Sequence, residues 1–126
     1  MSPAPAAAKP RIKPSVRFRL RITAGEDIAV GPGKIALLEA IAETGSITAA
    51  AKHLDMSYRR AWLLLAELNS ALKRPAVASI KGGEHGGGSE LTAAGKQLIE
   101  RYRHIEQTAT DACAGDIRAL VNMLAR

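Results

Sequence analysis

Residues 46–72, SITAAAKHLDMSYRRAWLLLAELNSAL, decide the fold. Ile47, Ala50, Ala51 and Leu54 stand at i, i+3, i+4 and i+7, which lines one face of an α-helix, and Ser46 is placed to cap that helix by accepting a backbone N–H. A second helix follows. Ser57 is its cap, and Ala61, Leu64, Leu65, Leu68 and Leu72 form its inward stripe. Between them Asp55-Met56-Ser57 must turn without a glycine, and Asp55 can take a left-handed conformation at modest cost. At about 100° per residue, placing Ala61 toward the core sends Arg59 and Leu63 outward and Arg60 and Trp62 to opposite flanks.

Small Ala49, Ala50 and Ala51 let the first helix pack closely across the second, leaving the polar and basic N-terminal end of the second uncovered. This reads as a helix-turn-helix, whose exposed helix is of a size that the major groove of DNA admits. Two amphipathic helices around a turn also occur in small helical domains at large, where Arg59 and Arg60 would be ordinary solvated charges. The flanking sequence therefore has to weigh between the two.

Upstream, Lys34–Thr44 reads as a helix that buries Ile35, Leu38, Ile41 and Ala42, exposes Lys34, Glu39 and Glu43, and stops at Gly45. Pro32 stands near its start, after a loop over 25–33. Val16–Thr23 alternates strictly, with Val16, Phe18, Leu20 and Ile22 on one side and Arg17, Arg19, Arg21 and Thr23 on the other, which predicts a strand with one face buried. A lone strand needs partners, and these are expected in a later hairpin. Pro75 ends the helix before it. Val77–Lys81 then reads as a short strand, GGEHGGG at 82–88 as a glycine-rich tip, and Ser89–Leu91 as the return. Strand, three helices, strand, strand is the winged helix-turn-helix order, a mainly α fold with a small β-sheet. In that fold Lys81, Gly82 and His85 of the wing reach phosphate or the adjacent minor groove. The glycines do not make a nucleotide site: a P-loop counted back from Gly95-Lys96 fails at Glu90 and at Gln97, and no βαβ unit follows.

Thr92 is placed to cap a long last helix, in which Leu98, Tyr102, Ile105, Ala109 and Ala112 recur in steps of four and three. Gly115 and Asp116 are expected to interrupt it before Ile117, Leu120, Val121 and Leu124 resume the stripe. An apolar seam longer than a small domain can cover predicts a homodimer through this helix; the competing expectation is that it folds back on its own domain.

Composition bounds the rest. The 126 residues make one domain, divided into a disordered or extended basic Pro/Ala-rich arm (1–14), the winged helix-turn-helix (15–91) and the dimerisation helix (92–126). The net charge is +6, but Lys9, Arg11, Lys13, Arg17, Arg19 and Arg21 all precede the first acid, Glu26, leaving 12 basic against 12 acidic groups beyond them. Bulk charge is thus weak evidence for nucleic acid, and local geometry has to carry that reading. With only four aromatic residues, the core must come from Ala, Leu, Ile and Val. The single Cys113 excludes an intrachain disulfide and is expected to be a small buried apolar residue. No apolar run approaches the ~20 residues needed to span a bilayer, and no signal peptide is evident, so a cytoplasmic protein without membrane contact is expected. His53, His85, His104 and Cys113 lack metal-ligand spacing, and no nucleophile, base and orienting acid can be assembled: neither a cofactor, a metal nor an enzyme is expected.

Three runs carry a resemblance: ETGSITAAAKHLDMSYRRAW, the wing KGGEHGGGSELT, and AAGKQLIERY. In this order and spacing they resemble the N-terminal DNA-binding domain of the ModE family, molybdate-responsive transcriptional regulators related to the LysR-type winged helices. The resemblance runs from about Val16 to about Leu124. It implies a dimer through the long helix with recognition helices in successive major grooves about 34 Å apart. It also puts Ser57, Tyr58, Arg59 and Trp62 on the recognition helix and Lys81–Gly88 on the wing. Leu63 and Leu64 make this helix more apolar than the family pattern, although Leu63 could meet a thymine methyl. The family's molybdate-binding C-terminal domains would begin where this sequence ends, so direct molybdate sensing is not expected.

The expectation is a homodimeric, sequence-specific regulator of double-stranded DNA, acting on genes of molybdate uptake or molybdoenzymes. Arg59 would contact bases, and Arg60, Lys81 and Ser46 phosphates, with Thr48 beside them. The alternative is a winged-helix protein-interaction module that pairs with a separate effector-sensing protein.

Overall fold

Alanine at the helix crossings sets how closely the core can close. The structure, a computed structural model, describes residues 13–83 and 86–125, and side chains in 81–83 and 86–87 are outside that description. His85 and most of the 1–14 arm lie outside the described residues. In chain order the elements are β1 (Ile22–Ala24), β2 (Asp27–Val30), α1 (Pro32–Thr44), α2 (Ile47–His53), α3 (Tyr58–Ala71), β3 (Val77–Gly83), β4 (Gly86–Leu91), α4 (Ala93–Ala112) and α5 (Ala114–Asn122). Ala50, Ala51 and Ala61 are buried where α2 and α3 cross, around a centre of Ile35, Leu37, Leu38, Ile41 and Leu68 that is closed to solvent. Each such aliphatic side chain contributes roughly 1.5–3 kcal/mol by leaving water. This is a winged helix-turn-helix followed by a long C-terminal helix.

The local signals in the helix-turn-helix act as their chemistry dictates. Ser46 accepts the Ala49 N–H at 3.0 Å and Ser57 the Arg60 N–H at 3.1 Å, each satisfying one of the donors orphaned at a helix start. Asp55 makes the turn with φ 56°, the left-handed conformation open to Asp at modest cost. Gly45, at φ 76°, ends α1 by donating its N–H to the Ile41 carbonyl.

Several expectations are corrected. Of the alternating stretch only Ile22 and Thr23 enter a strand, β1, whose partner is β2, drawn from the segment read as a loop, not the later hairpin. The result is two separate two-stranded sheets. A turn at Gly25 (φ 64°) brings β2 back at once, at a far lower loop-closure cost than pairing with a hairpin some fifty residues on. Val16, Phe18 and Ile22 are consequently exposed, and only Leu20 packs against the core. Lys34 is buried rather than exposed, because β2 and α3 close over it: Nζ donates to the Ile28 carbonyl and pairs with Glu67 at 3.3 Å. Ala42 is exposed, since the buried face of α1 is centred on Ile35, Leu38 and Ile41 and takes in Leu37 and Ala40 instead.

The long helix breaks at Cys113, not at Gly115 and Asp116, which sit in the first turn of α5, where an acid suits the positive end of the helix dipole. Cys113 is exposed at this joint, not buried. The expected seam divides. Leu98 packs on the core and Tyr102 is only 2% exposed, its hydroxyl donating to the Leu20 carbonyl at 2.8 Å, so Tyr102 faces its own domain rather than a second copy. Past that point the stripe is uncovered, with Ile105 48% exposed, Ala109 half-buried and Ala112 exposed.

At the foot of α4 the backbones come too close for a side chain. A Cβ on Gly95 would lie 2.2 Å from the Ala76 carbonyl oxygen. Gly95→Ala is therefore expected to cost about 1–3 kcal/mol in urea unfolding, because backbone and not a flexible side chain must yield. Burial, with Glu106 adding to it, pushes the Tyr102 phenol above its ordinary value of 10.0. Since the folded value is the higher one, this contribution to stability is whole below the unfolded value and is lost as pH rises through the folded one. Tyr102→Phe should lower stability at pH 7 by about 1 kcal/mol and show a shallower loss than the wild type when urea midpoints are followed above pH ~10.

Candidate nucleic-acid interface

The N-terminal end of α3 projects from the core as a mixed basic and aromatic surface. Ala61 turns inward, and its neighbours are thrown outward: Tyr58 is 53%, Trp62 51% and Leu63 44% exposed, and Arg59 and Arg60 are exposed beside them. Among the described residues neither arginine takes part in an ion pair. The first turns of α2 and α3 contain no acidic residue, so the positive ends of both helix dipoles are left uncompensated on this side. Such an end attracts anions.

Backbone contacts help to hold the wing beside this surface, together with Ala76 and Leu91, which are buried at its base. Strands β3 and β4 pair antiparallel, Val77 with Leu91 and Ser79 with Ser89, with an irregularity between Ile80 and Gly83. Ser89 donates its N–H to the Gly45 carbonyl at 3.0 Å, and a Cβ on Gly88 would meet that same oxygen at 2.7 Å. At the other end Thr92 donates its N–H to the Ala76 carbonyl and its hydroxyl to the Pro75 carbonyl, while its side-chain oxygen caps α4 by accepting the Gly95 N–H. Asn69, near the end of α3, accepts the Ala76 N–H at 2.8 Å and so ties that helix to the start of β3. Between α3 and the wing runs a groove with Trp62, Leu65 and Asn69 on one wall and Val77, Ser79 and Ser89 on the other.

Most of the residues singled out for DNA lie on these elements. Ser46 and Thr48 lie at the start of α2, Ser57 caps α3, and Tyr58, Arg59, Arg60 and Trp62 fill its first turns. Lys81 and Gly82 lie in β3, which extends two residues further than expected. Leu98, Tyr102, Ile105, Ala109 and Ala112 lie apart from these on α4, the first two turned to the core of their own domain.

Three positioning contacts escaped the sequence reading. These are Asn69 on Ala76, Lys34 on Glu67, and Arg103, which bridges Glu39 of α1 and Glu106 of its own helix. Hydrogen bonds to those two carboxylates raise the Arg103 pKa still further, so this cation is committed to holding α4 on α1. Only the Arg103–Glu106 pair, three residues apart on one helix, has a local spacing; the partners Ala76, Glu67 and Glu39 each lie outside the helix that carries the polar group. Among the described residues no group of three or more His, Cys, Asp or Glu side chains is placed to hold a metal ion, and no helix is long and apolar enough to cross a membrane.

Helix-turn-helix and wing together define the class of regulatory winged-helix domains. Residues 33–96, just over half the chain, match the family described as bacterial regulatory helix-turn-helix protein, lysR family, and the chain belongs to that family. Among solved structures it resembles the complex of the CbnR DNA-binding domain with DNA (TM-score 0.53, 28% identity, covering 70% of this chain and 95% of that one). It is 34% identical over 123 residues to the molybdenum transport protein ModE of Azotobacter vinelandii, covering 87% of this chain and 46% of that protein. It is 38% identical over 96 residues to the DNA-binding transcriptional dual regulator ModE of Escherichia coli K12, covering 74% of this chain and 37% of that protein. The chain thus spans less than half the length of these relatives.

Removing the Asn69 side-chain acceptor leaves the partly buried Ala76 N–H unpaired. Asn69→Ala is expected to cost about 1–3 kcal/mol in denaturant unfolding and to speed amide exchange in β3.

Proposed function

We propose that this chain is the DNA-binding part of a ModE-like transcriptional regulator, acting as a homodimer on genes of molybdate uptake or molybdoenzymes. The observation that carries the reading is the Tyr58–Leu63 end of α3, exposed and without an ion pair for its arginines among the described residues, beside a wing held by backbone contacts. In this reading α3 enters the major groove. Arg59 reads base edges with Tyr58 and Trp62 beside it; Arg60, Ser46, Thr48 and Ser57 meet the backbone; Lys81, Gly82 and His85 of the wing meet the next phosphates. The uncovered part of the α4 stripe, Ile105 and Ala112, with Leu120 and Leu124 beyond the joint, supports the pairing of two copies. The link to molybdate rests on the similarity to ModE alone.

A second reading draws on Trp62 and Leu63, which give the same surface an apolar centre suited to a separate sensor protein. Fluorescence anisotropy on the gene's own upstream DNA and on random duplex, each titrated with salt, separates the two. A DNA binder loses affinity steeply as salt rises, whereas a protein-interaction module shows no binding to titrate. Arg59→Ala should cost ~1–3 kcal/mol on the natural site and blur its preference over random duplex, while Lys81→Ala should weaken both alike and reduce the salt slope by about one unit. Unchanged affinity of Arg59→Ala for the natural site rejects the base-contact role.

A further inference from the structure

We infer that the extended segment 13–21 of one copy docks on the distal α4–α5 arm of a second copy, its basic side chains meeting Asp111 and Asp116 there. The inference rests on the homodimer reading and adds to it a second, interlocking contact.

Segment 13–21 carries Lys13, Arg17, Arg19 and Arg21 and no acid, and it forms no strand of its own. Val16 and Phe18 are 47% and 37% exposed, members of an alternating face from which only Leu20 packs on the core. The arm is its complement. Residues 104–125 hold Glu106, Asp111 and Asp116 against a single base, Arg118, and Glu106 is already taken by Arg103. That leaves Asp111, one of whose carboxylate oxygens accepts from Gln107, and Asp116 exposed on an arm whose apolar groups are in need of cover: Ile105 is 48% and Leu120 65% exposed, and no residue of α5 is buried. Asp116 and Leu120 stand four residues apart, on one face of α5. Arginine's long stem lets its charge reach round a narrow extended segment while the apolar side of that segment is covered.

Placement favours a second copy over DNA as the occupant. The Tyr102 hydroxyl bonds the Leu20 carbonyl, so the C-terminal end of segment 13–21 is held on α4 one turn before Ile105, where the uncovered stripe begins. Twofold pairing of that stripe brings the partner's distal arm alongside. The β1–β2 hairpin that continues the segment is fastened to the far end of α3 through Lys34, Ile28 and Glu67. Glu67 is nine residues beyond Tyr58, roughly 13 Å along the helix from the surface proposed for DNA.

Sedimentation equilibrium of the full chain at low salt tests this with two variants, Arg17→Glu with Arg19→Glu, and Asp111→Arg with Asp116→Arg. All four positions are exposed, and circular dichroism checks that each variant folds. Each alone should raise the dimer dissociation constant at least about tenfold, since like charges then face each other across the contact. An equimolar mixture should return it to the wild-type value, because in the mixed dimer both contacts are again between opposite charges. A monomeric wild type overturns the homodimer reading beneath. A dimeric wild type whose variants pair as tightly overturns this inference alone, and if Arg17→Glu with Arg19→Glu then weakens binding to random duplex, the basic face is a DNA contact. Loss that is rescued only when all four changes sit in one chain places the contact within a chain and overturns it too.

Discussion

Two carbonyl oxygens, those of Gly45 and Ala76, hold the wing, and each is approached by backbone more closely than any side chain would permit. Gly88 and Gly95 are the residues that make the approach possible: a Cβ on either would lie 2.7 or 2.2 Å from the oxygen it faces. Both oxygens are also hydrogen-bonded, to the N–H groups of Ser89 and Thr92, so the close contact is attractive as well as permitted. The wing therefore needs few large side chains at its base, where Ala76 and Leu91 are buried. Its position relative to α3 is set by the Asn69 side chain, which accepts the Ala76 N–H.

That tie divides α3 into two halves with different duties. Its C-terminal half is bound into the protein: Leu65 and Leu68 are buried, Glu67 pairs with Lys34, and Asn69 holds the first residue before β3. Its N-terminal half carries exposed Tyr58, Arg59, Arg60, Trp62 and Leu63, with only Ala61 turned inward. A helix anchored at one end and bare at the other presents side chains with little loss of freedom left to incur on binding, which is the physical sense of preorganisation. The arginines divide in the same way. Arg103 is spent on Glu39 and Glu106, fixing α4 to α1, while Arg59 and Arg60 are exposed and take part in no ion pair among the described residues.

The helix-turn-helix was legible because its signals are local. Capping by Ser46, Ser57 and Thr92, the left-handed turn at Asp55 and the stop at Gly45 each involve groups within about four residues of one another, so the sequence window holds both partners. Periodicity placed Ala61, Leu65 and Leu68 inside and Arg59 and Leu63 outside for the same reason. The exposed end of α3 follows from that register alone.

What the sequence by itself determined is thus the helix-turn-helix with the hairpin and long helix that follow it, the inward face of α3 and the side chains left bare at its start. Tertiary structure alone decided which strand β1 joins, why Lys34 is sheltered, that Tyr102 turns to Leu20, and that Cys113 is an exposed joint between two helices. An alternating or heptad-like pattern states that a face is apolar; it carries no information on which surface covers it. The covering surface comes from a segment distant in the chain, as Leu20 is from Tyr102, and only the packed chain brings the two together.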